Sequence, residues 1–183
     1  MTHEPGEVVP PLERRIGLAD MVAYAGATWD WYRLHYDSEF VARQRVPAPV
    51  VDGQVFGALL VEQIQDWLGP RCFVRELDFA FRSLVFAEET VRCEGTVSEV
   101  GDDFLVLSQR VVVIGADGGV DRVAAGPARA RVLLGVADGP GARLGVADGP
   151  EARLGVADRP EARLGVADRP EARLGVADRP EAR

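Results

Sequence analysis

From Val50 to Pro70 the chain changes from mixed polarity to a helical rhythm. Phe56, Leu60, Ile64 and Trp67 or Leu68 recur at helical spacing, while Glu62, Gln63, Gln65 and Asp66 gather on the other side. Gly69-Pro70 stops the pattern. The first half, Val55 to Val61, is apolar almost all round, which predicts a buried central rod. Beyond Cys72 the period becomes two. Phe73, Leu77, Phe79 and Phe81 alternate with Glu76 and Asp78, and Val91, Cys93 and Val97 alternate with Arg92, Glu94 and Thr96. Gly101-Asp102-Asp103 turns the chain, Phe104 to Ile114 predicts a third strand, and Ala116-Asp117-Gly118-Gly119 marks a hairpin before Val120 to Leu133. Pro127 must then occupy an edge or a bulge.

The stretch ahead of the rod is more broken. Residues 1–10, with Pro5, Gly6 and Pro10, predict a loose arm, and Leu12 to Leu18 predicts a first strand. Asp20 is placed to cap a short helix over Met21 to Ala27, and Asp37 or Ser38 to cap another over Glu39 to Gln44. The order is a strand and short helices, a long helix, then an antiparallel meander. It predicts an α+β domain over residues 1–133, an antiparallel sheet wrapped around a long central helix.

Residues 134–183 are different. They are five copies of a decapeptide that settles into Leu-Gly-Val-Ala-Asp-Arg-Pro-Glu-Ala-Arg. Each copy offers only Leu and Val as sizeable apolar groups, and its Gly and Pro break helix and strand alike, so a disordered tail is expected. It carries 8 Arg against 9 acidic groups, so most of the chain's formal charge of -8 belongs to the folded part.

That acidity disfavours nucleic acid or an anionic membrane as a partner. The chain has no Lys, which excludes Schiff-base chemistry. Cys72 and Cys93 are too few for a disulfide framework and lack metal-ligand spacing. No secretory leader and no apolar run of membrane-spanning length is present, so a cytoplasmic location is expected.

The candidate chemistry lies in Tyr24 to Asp37, which holds Asp30 and His35. On a straight helix, residues five apart point roughly 140° away from each other, so the carboxylate and imidazole can meet only if the chain turns between them. Trp29, Trp31 and Tyr32 surround the pair in sequence and are expected to exclude water from it. Gly53, at the start of the long helix, presents free backbone N–H groups at the positive end of the helix dipole, or simply permits a tight turn there. Arg33, Arg75, Arg82 and Arg110 are expected as solvated surface charges.

Tyr24, Gly26, Asp30, His35 and Asp37 together resemble the hydratase signature of the MaoC-like family, the R-specific enoyl-CoA hydratases of the hotdog fold. That signature runs roughly aromatic-x-Gly-x-x-x-Asp-x-Asn-Pro-x-His-x-Asp. The chain departs from it at Tyr32 and Arg33, where the family usually has Asn and Pro. It shares that departure with divergent MaoC-like subunits of actinobacterial steroid and acyl-CoA degradation. Without the Pro, some other contact must hold the turn before His35. Asp52-Gly53 resembles the family's helix start, with Asp replacing a His; there the backbone N–H of the small residue polarises the acyl-CoA carbonyl.

The resemblance implies a hotdog fold and hydration of an enoyl-CoA thioester. Asp30 and His35 would be catalytic, Gly53 would receive the thioester oxygen, and Trp29, Trp31 and Tyr32 would line the substrate. It implies no metal and no cofactor beyond the CoA of the substrate, and assembly as a homodimer or with another MaoC-like chain. Two alternatives stay open: a partner subunit without catalysis of its own, or a hotdog thioesterase. The latter usually places a carboxylate on the central helix, whereas Glu62 and Asp66 fall late on this one.

Overall fold

The long helix forms where its apolar spacing predicts, as α3 over Gln54–Leu68. It closes at Gly69, whose φ of +76° suits glycine and whose N–H reaches the Gln65 carbonyl at 2.8 Å. The computed structural model describes residues 2–135, and the expected disorder of the repeats from residue 136 onward lies outside them. Ahead of α3 come β1 (Val8–Arg15), α1 (Leu18–Thr28), a 3-10 turn (Arg33–His35) and α2 (Ser38–Arg43). After it come β2 (Cys72–Phe81), β3 (Thr90–Val100), β4 (Phe104–Ile114) and β5 (Val120–Leu134).

The five strands make one antiparallel sheet in the order β1-β3-β4-β5-β2. The expected meander therefore holds for β3 to β5 only. β2 pairs with β5 at one edge, and the chain then crosses to pair β3 with β1 at the other. The expected loose arm is also partly strand, because β1 begins at Val8. Gly6 and Glu7 are already pinned to Val97 through backbone bonds of 2.8 and 2.9 Å. Pro10 and Pro11 sit where the β1–β3 register shifts, and Pro127 lies in β5 beside register shifts against both neighbours. Both placements spare the ladder a missing N–H.

One face of α3 carries the packing. Phe56, Leu59 and Leu60 meet Leu12, Val91, Val111 and Ala125, while Ile64 meets Val97, Leu105, Leu107 and Val132. Burial is not all round as expected, since Ala58 is exposed. Gln63, expected on the polar side, is 1% exposed and faces the sheet. Its Nε2 donates to the carbonyls of Pro10 (2.9 Å) and Cys93 (3.1 Å), and its Oε1 accepts from Gln109 at 2.9 Å. Gln109 also donates to the Leu60 carbonyl at 3.3 Å, while its own Oε1 has no partner among the described residues. A polar clamp thus ties the rod to β1, β3 and β4.

Cys93 lies inside this layer, and burial, with the charge of Glu62 adding to it, pushes its thiol from an ordinary 9.0 to about 12. The unfolded chain therefore gives up this proton first, so stability falls as pH rises from about 9 toward about 12. Between about pH 8 and pH 10 the urea midpoint of the wild type is expected to drop by more than that of Cys93→Ala. Equal drops would show that the thiol plays no part.

Candidate active site

α1 begins earlier than expected. Gly17 is its N-cap, and Asp20, expected in that role, sits at the third helical position and accepts the Gly17 N–H at 2.9 Å. The helix ends at Thr28, and Trp29 reverses the chain with a left-handed φ of 61°, rare for a bulky residue. That reversal delivers Asp30 to the mouth of the site. Asp30 Oδ1 accepts the Tyr32 N–H at 3.2 Å, and the chain then tightens into the 3-10 turn that carries His35.

The turn holds without proline. His35 N–H reaches the Tyr32 carbonyl at 3.0 Å and Asp37 N–H the Arg33 carbonyl at 2.9 Å. The Arg33 guanidinium grips Asp37 Oδ2 at 2.8 and 2.6 Å. Asp37 also caps α2, as expected, accepting the Phe40 N–H at 2.9 Å. That N–H first, and the Arg33 contact second, hold the Asp37 carboxyl below its usual range. A second anchor comes from Val50, whose N–H donates to the Leu34 carbonyl at 3.0 Å and whose carbonyl lies 2.7 Å from His35 Nδ1. A carbonyl can only accept, so Nδ1 carries a proton and Nε2 is the nitrogen left for chemistry.

The turn brings Asp30 and His35 together, with Asp52 as a third member. Each presents one donor atom, and all three atoms lie within 4.8 Å of one another. The three share a cavity of about 10 Å³ with Met21, Tyr24 and Val55. His35 also lines a larger groove of about 420 Å³, where it meets Gly53, Phe56, Phe81, Arg82 and Leu84. The small cavity and the larger groove share the imidazole as a lining residue, beside the amino end of α3. Two carboxylates and an imidazole are also a donor set of the kind that takes divalent cations.

Gly53 has φ -61° and ψ -24°, ordinary helical values, so no special turn demands glycine. A Cβ there would stand 2.5 Å from Cε1 of the exposed Phe81 ring, which would have to shift. Asp52 Oδ1 accepts the Gln54 N–H at 2.9 Å, whereas among the described residues the Gly53 N–H meets no acceptor.

The aromatic residues do not enclose the pair. Trp29 is 81% exposed, and Trp31 and Tyr32 are about half exposed. None of them lines the small cavity; Trp31 packs over Gly26, and Tyr32 meets the His35 ring edge-on at 5.8 Å. None of the three lines the groove either. Of the four arginines, Arg33 and Arg110 are committed to Asp37 and Glu94, while Arg82 lines the groove. Asp52, which the sequence marks only as standing at the family's His position, joins the site as a further member. Its signal was its place immediately before Gly53.

The model of the MaoC like domain matches residues 2–115. The chain belongs to the MaoC-like family. Solved structures with the same fold include an (R)-hydratase from A. caviae involved in PHA biosynthesis. It is 25% identical, with a TM-score of 0.65 over 73% of this chain and 98% of that one. R-hydratase PhaJ1 from Pseudomonas aeruginosa is 19% identical, with a TM-score of 0.65 over 72% and 82%. The ChsH1-ChsH2 complex from Mycobacterium tuberculosis is 22% identical, with a TM-score of 0.62 over 73% and 99%. No curated protein matches the chain in sequence. This MaoC-like chain thus has the hotdog fold expected of it, and among the described residues no helix is long and apolar enough to cross a membrane.

Proposed function

We propose that this MaoC-like chain adds water across the C2–C3 double bond of an enoyl-CoA thioester, with R specificity, or removes it in reverse. One observation carries the proposal: Asp30 and His35 line one small cavity, and His35 and Gly53 line the adjoining groove at the amino end of α3. Hydration needs a base for water, an acid for C2 and a donor for the charge that builds on the thioester oxygen. Asp30 and His35 hold the water, one of them takes its proton and returns a proton to C2, and the Gly53 N–H receives the oxygen. The acyl chain lies in the groove, with Trp29, Trp31 and Tyr32 as an aromatic rim and Arg82 as the cation nearest the CoA phosphates. No metal or further cofactor enters this scheme.

A thioesterase is disfavoured because the first carboxylate on α3, Glu62, is held by Arg14 rather than aimed at the groove. A partner subunit is the second reading, favoured by the fold shared with the ChsH1-ChsH2 complex. The exposed Phe73 and Phe81 on edge strand β2 also suit a homodimer or a heteromer with another MaoC-like chain. The deciding experiment incubates purified protein with trans-2-enoyl-CoA thioesters of different bulk and follows loss of the conjugated chromophore. Turnover by the protein alone is expected. Activity that emerges only with a co-purifying chain would establish the subunit reading instead, and release of free CoA thiol from a saturated acyl-CoA would establish the thioesterase.

A further inference from the structure

We propose that Asp52 is a third catalytic residue, a direct hydrogen-bond partner of the reacting water beside Asp30 and His35. The inference rests on the hydratase reading above and deepens it. The resemblance to the family gives this position to a His, and the chain has replaced it with a carboxylate whose donor atom lies within 4.8 Å of those of Asp30 and His35. The cavity they share measures about 10 Å³. That is room for about one water, and an ordered water is held by about 2–4 polar partners. Met21, Ala25 and Val55 supply apolar wall, so the polar partners come from the two carboxylates, the imidazole and Tyr24.

Each of the three groups is fixed by one atom and keeps another. Asp30 Oδ1 accepts the N–H of Tyr32, and Asp52 Oδ1 accepts the N–H of Gln54, in both cases two residues along the chain. His35 Nδ1 is tied to the Val50 carbonyl. That leaves the second oxygen of each carboxylate and His35 Nε2 without a hydrogen-bond partner among the described residues. The charge of Asp52 is felt there: burial chiefly, and Asp52 in addition, pushes the Tyr24 phenol above its usual range.

A water attacking C3 has two hydrogens to place and one lone pair to aim. One hydrogen is held by Asp52 and the other faces the base, Asp30 or His35, which leaves the lone pair directed at the groove. As the bond from the water oxygen to C3 forms, one O–H bond breaks and its proton passes to the base. The π pair of C2–C3 moves toward the thioester carbonyl, and C2 then takes a proton to give the 3-hydroxyacyl thioester. Asp52 accepts a hydrogen bond throughout and ends the cycle with the proton count it began with.

The competing account is that Asp52 only caps the first turn of α3. Asp52→Asn and Asp52→Ser separate the two, because both keep a side-chain oxygen that can accept the Gln54 N–H while losing the carboxylate. If Asp52 holds the water, both variants lower kcat for enoyl-CoA hydration at least about tenfold, with KM within about twofold and the melting temperature unchanged. A kcat within about twofold of wild type, or an effect confined to KM, overturns this role and leaves the hydratase reading standing. A wild-type protein that hydrates no enoyl-CoA thioester overturns both.

Discussion

Asp30→Asn and His35→Ala are each expected to lower enoyl-CoA hydration by about two orders of magnitude or more while the domain stays folded. The two losses have different structural costs. Asp30 is exposed, and the one hydrogen bond it makes among the described residues, from the Tyr32 N–H, can be kept by the Asn carbonyl oxygen. Its removal therefore tests chemistry alone. His35→Ala also deprives the Val50 carbonyl of its 2.7 Å partner, which adds about 1 kcal/mol of destabilisation. The measurement is steady-state hydration beside a thermal melt for each variant. Near-normal turnover in both would remove these residues from the mechanism.

The second large effect is structural. Gln63→Leu is expected to destabilise the domain by about 3 kcal/mol, because the change leaves polar groups of Cys93 and Gln109 without their partner inside the core and also breaks the part-buried bond to Pro10. The side chain is 1% exposed, so water cannot replace the bonds to Cys93 and Gln109. Adding Gln109→Leu removes the stranded amide and its already unpartnered oxygen. The double variant should therefore lose less than the sum of the two single changes. Urea midpoints at constant m give both numbers. A Gln63→Leu protein within about 0.5 kcal/mol of wild type would show that the clamp contributes nothing net.

Those two residues mark where the sequence stops being legible. The apolar period of α3, the alternation in β3 and β4 and the hairpin glycines were readable because each is a local pattern answering to one buried face. Gln63 was not, since its polarity reads as solvent-facing until the bulge at Pro10 and the neighbouring Gln109 supply partners for it. Strand order was illegible for a similar reason. β2 and β3 follow one another in the chain, but the loop from Arg82 to Glu89 carries them to opposite sides of the sheet. At the site, the spacing of Asp30 and His35 demanded a turn, and the turn exists. Nothing local revealed that Val50 anchors it, or that Asp52 comes within 4.8 Å of both groups. The three aromatics misled because hydrophobic bulk near a polar pair is no guide to which side of a helix it will cover.

Leu134 pairs with Cys72, so β5 runs out beside the carboxyl end of α3, whereas the imidazole and its groove sit at the amino end. Fifteen helical residues span about 22 Å. A tether to a bead or an electrode introduced just after Gly135 would start roughly that far from the groove. Oriented immobilisation through this point should leave the mouth accessible to a bulky thioester.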